Sequence, residues 1–268
     1  MIERIEIKSW NEFDRKVTKL PFRNWLFRGQ PEAKWELETS LYRLFEDLQK
    51  TFNICQPDKN RQFARNQHEK AMISHFKANA HLYLKSLPPN RESNLEWLSI
   101  MQHFGCPTRL LDVTVSPYIA LFFALEQGQS DAAVYAFNQK EIRNTDIDVL
   151  GEGYQKKVLG NIKRGKAFII PYEPKQTNER LVAQQGAFLV PSNNYETIDE
   201  IIKLYDDLEG ALAKKFIISE DLRLEGFQRL RRMNISAASL FPGLEGFCRS
   251  LRDQSENISQ LKRFEEME

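Results

Sequence analysis

The sequence of 268 residues has almost no net charge, few cysteines and no long hydrophobic run. Its 38 Lys and Arg residues nearly balance its 37 Asp and Glu residues, which leaves a net charge of +1. Bulk charge therefore gives no argument for a nucleic acid or a membrane as partner. The longest apolar run, Tyr118 to Leu125, is much shorter than the roughly 20 residues that a membrane-spanning helix needs.

The three cysteines, Cys55, Cys106 and Cys248, are odd in number, far apart and without a CxxC spacing. This pattern argues against a disulfide framework and against a cysteine zinc site, and it favours reduced thiols. The first six residues alternate in charge, which does not fit a secretory signal. We therefore expect a soluble, cytoplasmic protein with no membrane partner.

Strand and helix patterns are interspersed without strict alternation, and the predicted strands are short. The expected fold class is α+β, with a single compact domain over residues 1–252 and a charged tail over 253–268. In that domain a short-stranded mixed sheet is flanked by helices. Ser9 and Ser116 are predicted helix caps, the latter followed by a proline that opens a helix over 117–126.

Several short strands are predicted from runs of apolar residues. The run from Trp25 to Arg28 is predicted to end at Gly29, and Leu181 to Gln185 and Ala187 to Pro191 are predicted as two strands around Gly186. Glutamines beside a glycine between apolar runs need hydrogen-bond partners if they are buried. They could line a site, or they could simply pair across a sheet edge.

The segment 101–125 is the most informative in the chain because it places ionisable groups against a very apolar run. His103, Arg109 and Asp112 lie there with Thr108, Thr114 and Ser116. Such groups are costly beside a buried segment unless they pair or take part in function. Arg109 and Asp112 could form a structural ion pair, or they could shape the segment beside a ligand.

A second patch, Leu26 to Gln30, places Arg28 behind two large apolar residues and next to a glycine. A fixed guanidinium beside a glycine that permits close backbone approach suits a phosphate or a carboxylate. We predict that this patch and the segment around Asp112 meet at one cleft.

Two other kinds of site, a metal site and a nucleophilic cysteine, have less support from the sequence. The histidines at 68, 75, 81 and 103 lack the i, i+4 spacing of a metal site, so no metal is expected. Cys106 and His103 could form a nucleophilic pair, but the sequence supplies no third orienting group.

These segments resemble the FRG domain, a family named for a Phe-Arg-Gly motif. The resemblance covers roughly residues 20–250 and rests on segments that follow one another along the chain: Phe27-Arg28-Gly29, Thr39-Ser40-Leu41, Gln102-His103-Phe104-Gly105, Pro107 to Asp112 with Thr114, Ser116-Pro117 and Ala120, Arg180 with Ala183 to Phe188, and Leu240-Phe241-Pro242. Val113 departs from the tryptophan that is usual in the family.

The same segments are remotely similar to mono-ADP-ribosyltransferases, which begin with an aromatic-Arg-Gly strand and continue with a hydroxyl-bearing strand that leads into a helix. This resemblance implies an ADP-ribosyltransferase-like split sheet and NAD as cofactor or substrate. The third element, a glutamate strand, is matched here only by Glu179, Gln184 and Gln185. A glutamine can bond a ribose but cannot supply negative charge.

The sequence therefore predicts an FRG-domain protein that binds a nucleotide, with NAD as the implied ligand. The residues predicted to be catalytic are Arg28, His103, Asp112, Thr114 and Gln185, and those predicted to bind the cofactor are Arg28, Gly29, Gln30, Thr108, Arg109 and Ser116. In the enzymatic version the protein transfers ADP-ribose to a protein or nucleic-acid acceptor, or cleaves NAD, as a bacterial toxin or phage-defence effector. The alternatives are a non-catalytic nucleotide sensor and a nuclease that uses Asp112 with His103.

Overall fold

The computed structural model describes residues 2–53, 58–88, 94–127, 130–150, 167–175, 177–205 and 212–251. Its strands form one seven-stranded sheet of order β1-β7-β4-β2-β3-β6-β5, in which β1 and β7 are parallel and the other neighbours are antiparallel. The strands are β1 (Glu3–Ile7), β2 (Trp25–Gln30), β3 (Leu111–Thr114), β4 (Ala132–Asn138), β5 (Ile169–Tyr172), β6 (Gly186–Pro191) and β7 (Ala213–Ile218). The predicted mixed sheet of short strands is confirmed and is compatible with an α+β class.

Eleven α-helices lie in the described part of the chain and flank this sheet. They are α1 (Trp10–Val17), α2 (Ser40–Thr51), α3 (Asp58–Asn79), α4 (Asn94–His103), α5 (Pro117–Glu126), α6 (Gln139–Leu150), α7 (Glu179–Ala183), α8 (Ile198–Lys203), α9 (Arg223–Arg232), α10 (Ala237–Leu240) and α11 (Leu244–Ser250). None of these helices is both long and apolar enough to cross a bilayer. The predicted charged tail, 253–268, lies outside the described residues.

The predicted caps of two helices are confirmed. The Ser9 hydroxyl accepts a hydrogen bond from the Glu12 amide at 3.2 Å, and the Ser116 hydroxyl accepts one from the Ile119 amide at 3.3 Å. Each cap satisfies an amide that the first helical turn leaves without a partner. Pro117 occupies the first turn of α5, where its missing N–H costs nothing.

The prediction of a strand over Leu181 to Gln185 is wrong, because this segment is mostly helix α7. Asn178 caps the helix by accepting a hydrogen bond from the Leu181 amide at 2.8 Å. Gln185 then adopts a left-handed backbone with φ of 46°, which turns the chain into β6. A five-residue helix is shorter than the window in which helical periodicity can be recognised.

The sheet splits between β2 and β3. One edge of β2 pairs with β4 over six residues, from Trp25 to Gln30. Its other edge pairs with β3 only at Phe27 and Thr114. The two strands therefore separate beyond Phe27, and a cleft opens at this point.

Gly29 brings helix α5 against β2. A Cβ atom on Gly29 would lie 1.9 Å from the Ala120 carbonyl oxygen and 2.6 Å from the Ala124 amide nitrogen. Because both of these are backbone atoms, they could yield only by moving the helix. The prediction that β2 ends at Gly29 is also wrong, since the strand continues through the glycine to Gln30.

We predict that Gly29→Ala destabilises the fold by at least about 1–3 kcal/mol, because a methyl group must displace helix backbone. Gly226→Ala is the matched control, since its Cβ would meet only the side chain of Leu125, 2.5 Å away. Urea unfolding monitored by circular dichroism measures both changes. Equal losses for the two variants would show that the packing of α5 on β2 is not specially tight.

Candidate functional site

A cleft of about 370 Å³ lies where β2 and β3 separate. This volume is within the range of small-molecule sites. Its walls come from β2, α4, β3, α5, α7 and the α10–α11 region, so segments distant in sequence meet there. The lining side chains that bear charge or hydrogen-bonding groups are Arg28, Ser99, Gln102, His103, Asp112, Thr114, Glu126, Gln127, Asn178, Arg180, Gln184 and Arg249.

Arg28 bridges the split in the sheet. Its Nη1 donates a hydrogen bond to the Asp112 carbonyl oxygen at 2.8 Å, across 84 positions of sequence. The predicted meeting of these two segments at one cleft is thus confirmed. Burial lowers the pKa of the Arg28 guanidinium, and the Asp112 carboxylate opposes this shift. The buried Nε has no hydrogen-bond partner among the described residues.

A chain of hydrogen bonds fixes the Asp112 carboxylate. The Thr108 hydroxyl accepts from the Leu110 amide at 3.1 Å and donates to Gln102 Oε1 at 2.7 Å. The amide of Gln102 is thereby oriented, and its Nε2 donates to Asp112 Oδ2 at 2.8 Å. Thr108 itself is fully buried and is held by Ser40, which exchanges hydrogen bonds with its backbone.

Thr114 joins β3 to the segment that follows α7. Its hydroxyl donates to the Gln184 carbonyl oxygen at 2.8 Å and accepts from the Ser116 amide at 3.1 Å. Gln184 lines the cleft, and its side-chain amide donates to the Leu240 carbonyl oxygen at 3.1 Å. Gln184, which follows α7, is therefore hydrogen-bonded both to β3 and to α10.

His103 lies at the end of α4, on the cleft wall. Burial lowers the pKa of its imidazole, and the nearby Arg180 guanidinium lowers this pKa further, while Glu245 opposes the shift. The imidazole is thus mainly neutral at pH 7 and can accept a proton. Burial raises the pKa of the Cys106 thiol, and Cys106 is not among the residues that line the cleft. This does not suit the nucleophilic pair, because a nucleophilic cysteine needs a lowered pKa.

Two arginines pack on the ring of Phe241. Arg180 lies 4.6 Å from its centroid and Arg249 lies 3.7 Å from it. Arg249 also donates to Glu126, with its Nη2 2.8 Å from Oε1 and 2.6 Å from Oε2. The carboxylate of Glu126 is therefore engaged inside the protein.

Five of the predicted site residues do not line the cleft. Gln30 is buried, and its side chain donates to the Glu36 carbonyl oxygen at 3.1 Å. Ser116 is used as the α5 cap, and Thr108 supports Gln102 from behind. Gln185 is exposed because the turn after α7 directs its neighbour Gln184 into the cleft instead. Arg109, the fifth, is buried in an ion pair.

Arg109 is paired with Glu69 of α3, not with Asp112 as one reading of the sequence suggested. Its Nε donates to Glu69 Oε1 at 2.7 Å, and its Nη2 also pairs with this carboxylate. Its Nη1 donates to the Ser192 carbonyl oxygen at 3.1 Å, which ties the segment before β3 to the end of β6. Arg109 is 3% exposed, which leaves no surface for a ligand.

We predict that Glu69→Ala costs roughly 3–5 kcal/mol of stability, because it leaves the Arg109 charge buried without its carboxylate. The double variant Glu69→Ala with Arg109→Met should recover part of this loss, since it removes the stranded charge. Urea unfolding of both variants gives the two values. A double variant no more stable than Glu69→Ala would show that the stranded charge is not the source of the loss.

We predict that the pKa of His103 rises in Arg180→Gln, because the variant removes a positive charge that disfavours the imidazolium. It should stay below the usual value for histidine, since burial is the larger cause. NMR titration of the ring protons measures the change, with His68, His75 and His81 as internal controls. An unaltered His103 titration would mean that the two side chains do not interact.

The protein is thus a mixed-sheet α/β protein with a polar cleft at a split in its sheet. Residues 23–133 match the family model of the FRG domain, so the chain contains an FRG domain. The match confirms the predicted resemblance to this family over these residues. A comparison with curated proteins and a comparison with solved structures each found no match.

Some cleft residues were not singled out from the sequence. Glu126 and Arg249 line the cleft, but each lies in an ordinary helical pattern that carries no signal of a site. Their placement depends on how the C-terminal helices pack against α5. Within the described ranges no group of three His, Cys, Asp or Glu side chains is placed to hold a metal ion.

Proposed function

We propose that the cleft binds a nucleotide and that Arg28 is the main contact to its phosphate. The observation that carries this proposal is the buried Arg28 Nε, which has no partner among the described residues although its neighbouring Nη1 is firmly bonded. A buried polar atom without a partner is costly, and a ligand oxygen would supply the acceptor. A guanidinium is well suited to this task because its N–H groups match phosphate geometry.

The remaining cleft surface suits the sugar and the base. The Asp112 carboxylate is exposed in the cleft, where it can accept hydrogen bonds from ribose hydroxyls. Phe123, a half-buried aromatic side chain of the cleft wall, supplies apolar surface on which a base can stack.

NAD is the nucleotide that the resemblance to ADP-ribosyltransferases favours. In the proposed reaction the bond between the ribose carbon and the nicotinamide nitrogen breaks, and its electron pair leaves with neutral nicotinamide. Water or an acceptor then forms a bond to the ribose carbon and loses a proton, for which the neutral imidazole of His103 is a suitable base. Asp112 would stabilise the positive charge that develops on the ribose.

A non-catalytic sensor is the second candidate. The observation that favours it is the hydrogen-bonded restraint of Asp112 by Gln102, which serves ligand recognition equally well. The biological setting that the family resemblance suggests, a bacterial toxin or phage-defence effector in the cytoplasm, belongs to the same proposal and requires turnover of NAD.

We predict that Arg28→Ala weakens nucleotide binding roughly 10- to 100-fold, because a charge-assisted hydrogen bond contributes about 1.5–3 kcal/mol. Isothermal titration calorimetry with NAD, ADP-ribose and ADP measures the affinity, and a melting curve of the same variant measures stability. Arg229→Ala is the matched control, since Arg229 stacks on Trp10 and pairs with Glu225 outside the cleft. Its affinity should equal that of the unaltered protein.

Two outcomes would contradict the role of Arg28. A stability loss of roughly 3–5 kcal/mol would indicate a structural charge pair instead. Unchanged nucleotide affinity in a folded Arg28→Ala protein would show that Arg28 does not contact the phosphate.

A further measurement separates the enzyme from the sensor. If the unaltered protein releases nicotinamide from NAD, and Asp112→Asn releases less while it still binds NAD, the protein is an enzyme.

A further inference from the structure

Arg180 has an unused hydrogen-bonding edge inside the cleft. It lines the cavity and packs on Phe241, yet the described part of the chain gives its guanidinium no hydrogen bond and no ion pair. Arg249 packs on the same ring but donates to Glu126. The Nε and Nη2 groups of Arg249 are thus engaged by Glu126, and its Nη1 lies 3.8 Å from Glu245. Arg180 has no such partner among the described residues, so its N–H groups are available to a ligand.

The position of Arg180 is fixed by its surroundings. Helix α7, which carries it, begins at the Asn178 cap and ends at Gln184. Gln184 is bonded through its carbonyl oxygen to Thr114 of β3 and through its side-chain amide to Leu240 of α10. A cationic side chain on such a support has little freedom to lose when it binds an anion, which favours binding.

Arg28 and Arg180 line the cleft from different elements. Arg28 lies on β2, which is one neighbour of β3, and α7 leads directly into β6, which is the other neighbour. Arg249 is paired with Glu126 and also lies 3.8 Å from Glu245. Among the described residues that line the cleft, the charged groups without an ion pair are therefore the Arg28 and Arg180 guanidinium groups and the Asp112 carboxylate.

We infer that Arg180 forms a second anion subsite, and that the cleft selects ligands with two linked anionic groups, the nucleoside diphosphate class, over monophosphates. This inference rests on the proposed nucleotide-binding function. Arg28 holds one phosphate group and Arg180 holds the other. The Phe241 ring keeps the guanidinium plane in place while the N–H edge faces the ligand.

The experiment compares ADP with AMP, and inorganic pyrophosphate with inorganic phosphate, by calorimetry on the full chain. We expect the unaltered protein to bind ADP roughly 10- to 100-fold more tightly than AMP, since one further charge-assisted contact is made. Arg180→Gln should lose this preference and bind AMP as before. Arg180→Lys should retain part of it, because it keeps the charge but not the planar fork.

The control is Arg229→Gln, which removes an arginine that also packs on an aromatic ring but lies outside the cleft. It should keep the preference for ADP. A preference for ADP that persists in a folded Arg180→Gln protein would overturn the inference and leave nucleotide binding intact. Equal affinity of the unaltered protein for ADP and AMP would do the same.

Failure of the proposed function itself gives a different result. If no nucleotide binds but pyrophosphate binds more tightly than phosphate through Arg180, the anion subsite is supported and the nucleotide assignment is wrong. If neither nucleotides nor pyrophosphate bind, both are overturned.

Discussion

The cleft depends on one irregularity, the separation of β2 from β3 after a single residue pair. Two residues of β2 make their main contacts at this separation. Gly29 holds β2 against the backbone of α5, and Arg28 spans the gap with a hydrogen bond from its side chain to the Asp112 carbonyl oxygen. If the hydrogen bonds between β2 and β3 continued along both strands, they would satisfy the backbone N–H and C=O groups but would close the cleft. The Phe-Arg-Gly motif thus combines a close packing contact, made by glycine, with a cationic side chain at the opening.

In the segment 108–114, the residues that hold the backbone in place are different from those that face the cleft. Arg109 and Thr108 are buried and anchor the segment to α3 and α4, through Glu69 and Gln102. Asp112, at the end of this arrangement, is exposed in the cleft. The segment therefore carries a dense run of polar groups because most of them hold the backbone and few face a ligand. The number of ionisable residues in this segment is therefore larger than the number that can contact a ligand.

The sequence predicted those features that local chemistry decides. The caps at Ser9 and Ser116, the buried helix over 117–126 and the meeting of Arg28 with the Asp112 segment all appear in the structure. Features that depend on distant partners were not predictable. Nothing near Arg109 indicates that its partner is Glu69, 40 positions earlier. Likewise, the sequence does not reveal the left-handed backbone of Gln185. At this turn the side chain of Gln184 lines the cleft and that of Gln185 is exposed.

The charges of the cleft limit what its chemistry can be. Transfer of ADP-ribose needs a carboxylate free to stabilise positive charge, and a glutamate engaged by an arginine is poorly placed for this. Glu126 is engaged by Arg249, and Glu179 is exposed on α7 and does not line the cavity. Among the described residues that line the cleft, Asp112 is the carboxylate without an ion pair; it accepts a hydrogen bond from Gln102 and lies near the Arg28 guanidinium. In the proposed transfer reaction Asp112 of β3 therefore supplies the negative charge, whereas the resemblance to ADP-ribosyltransferases would place a glutamate on a later strand.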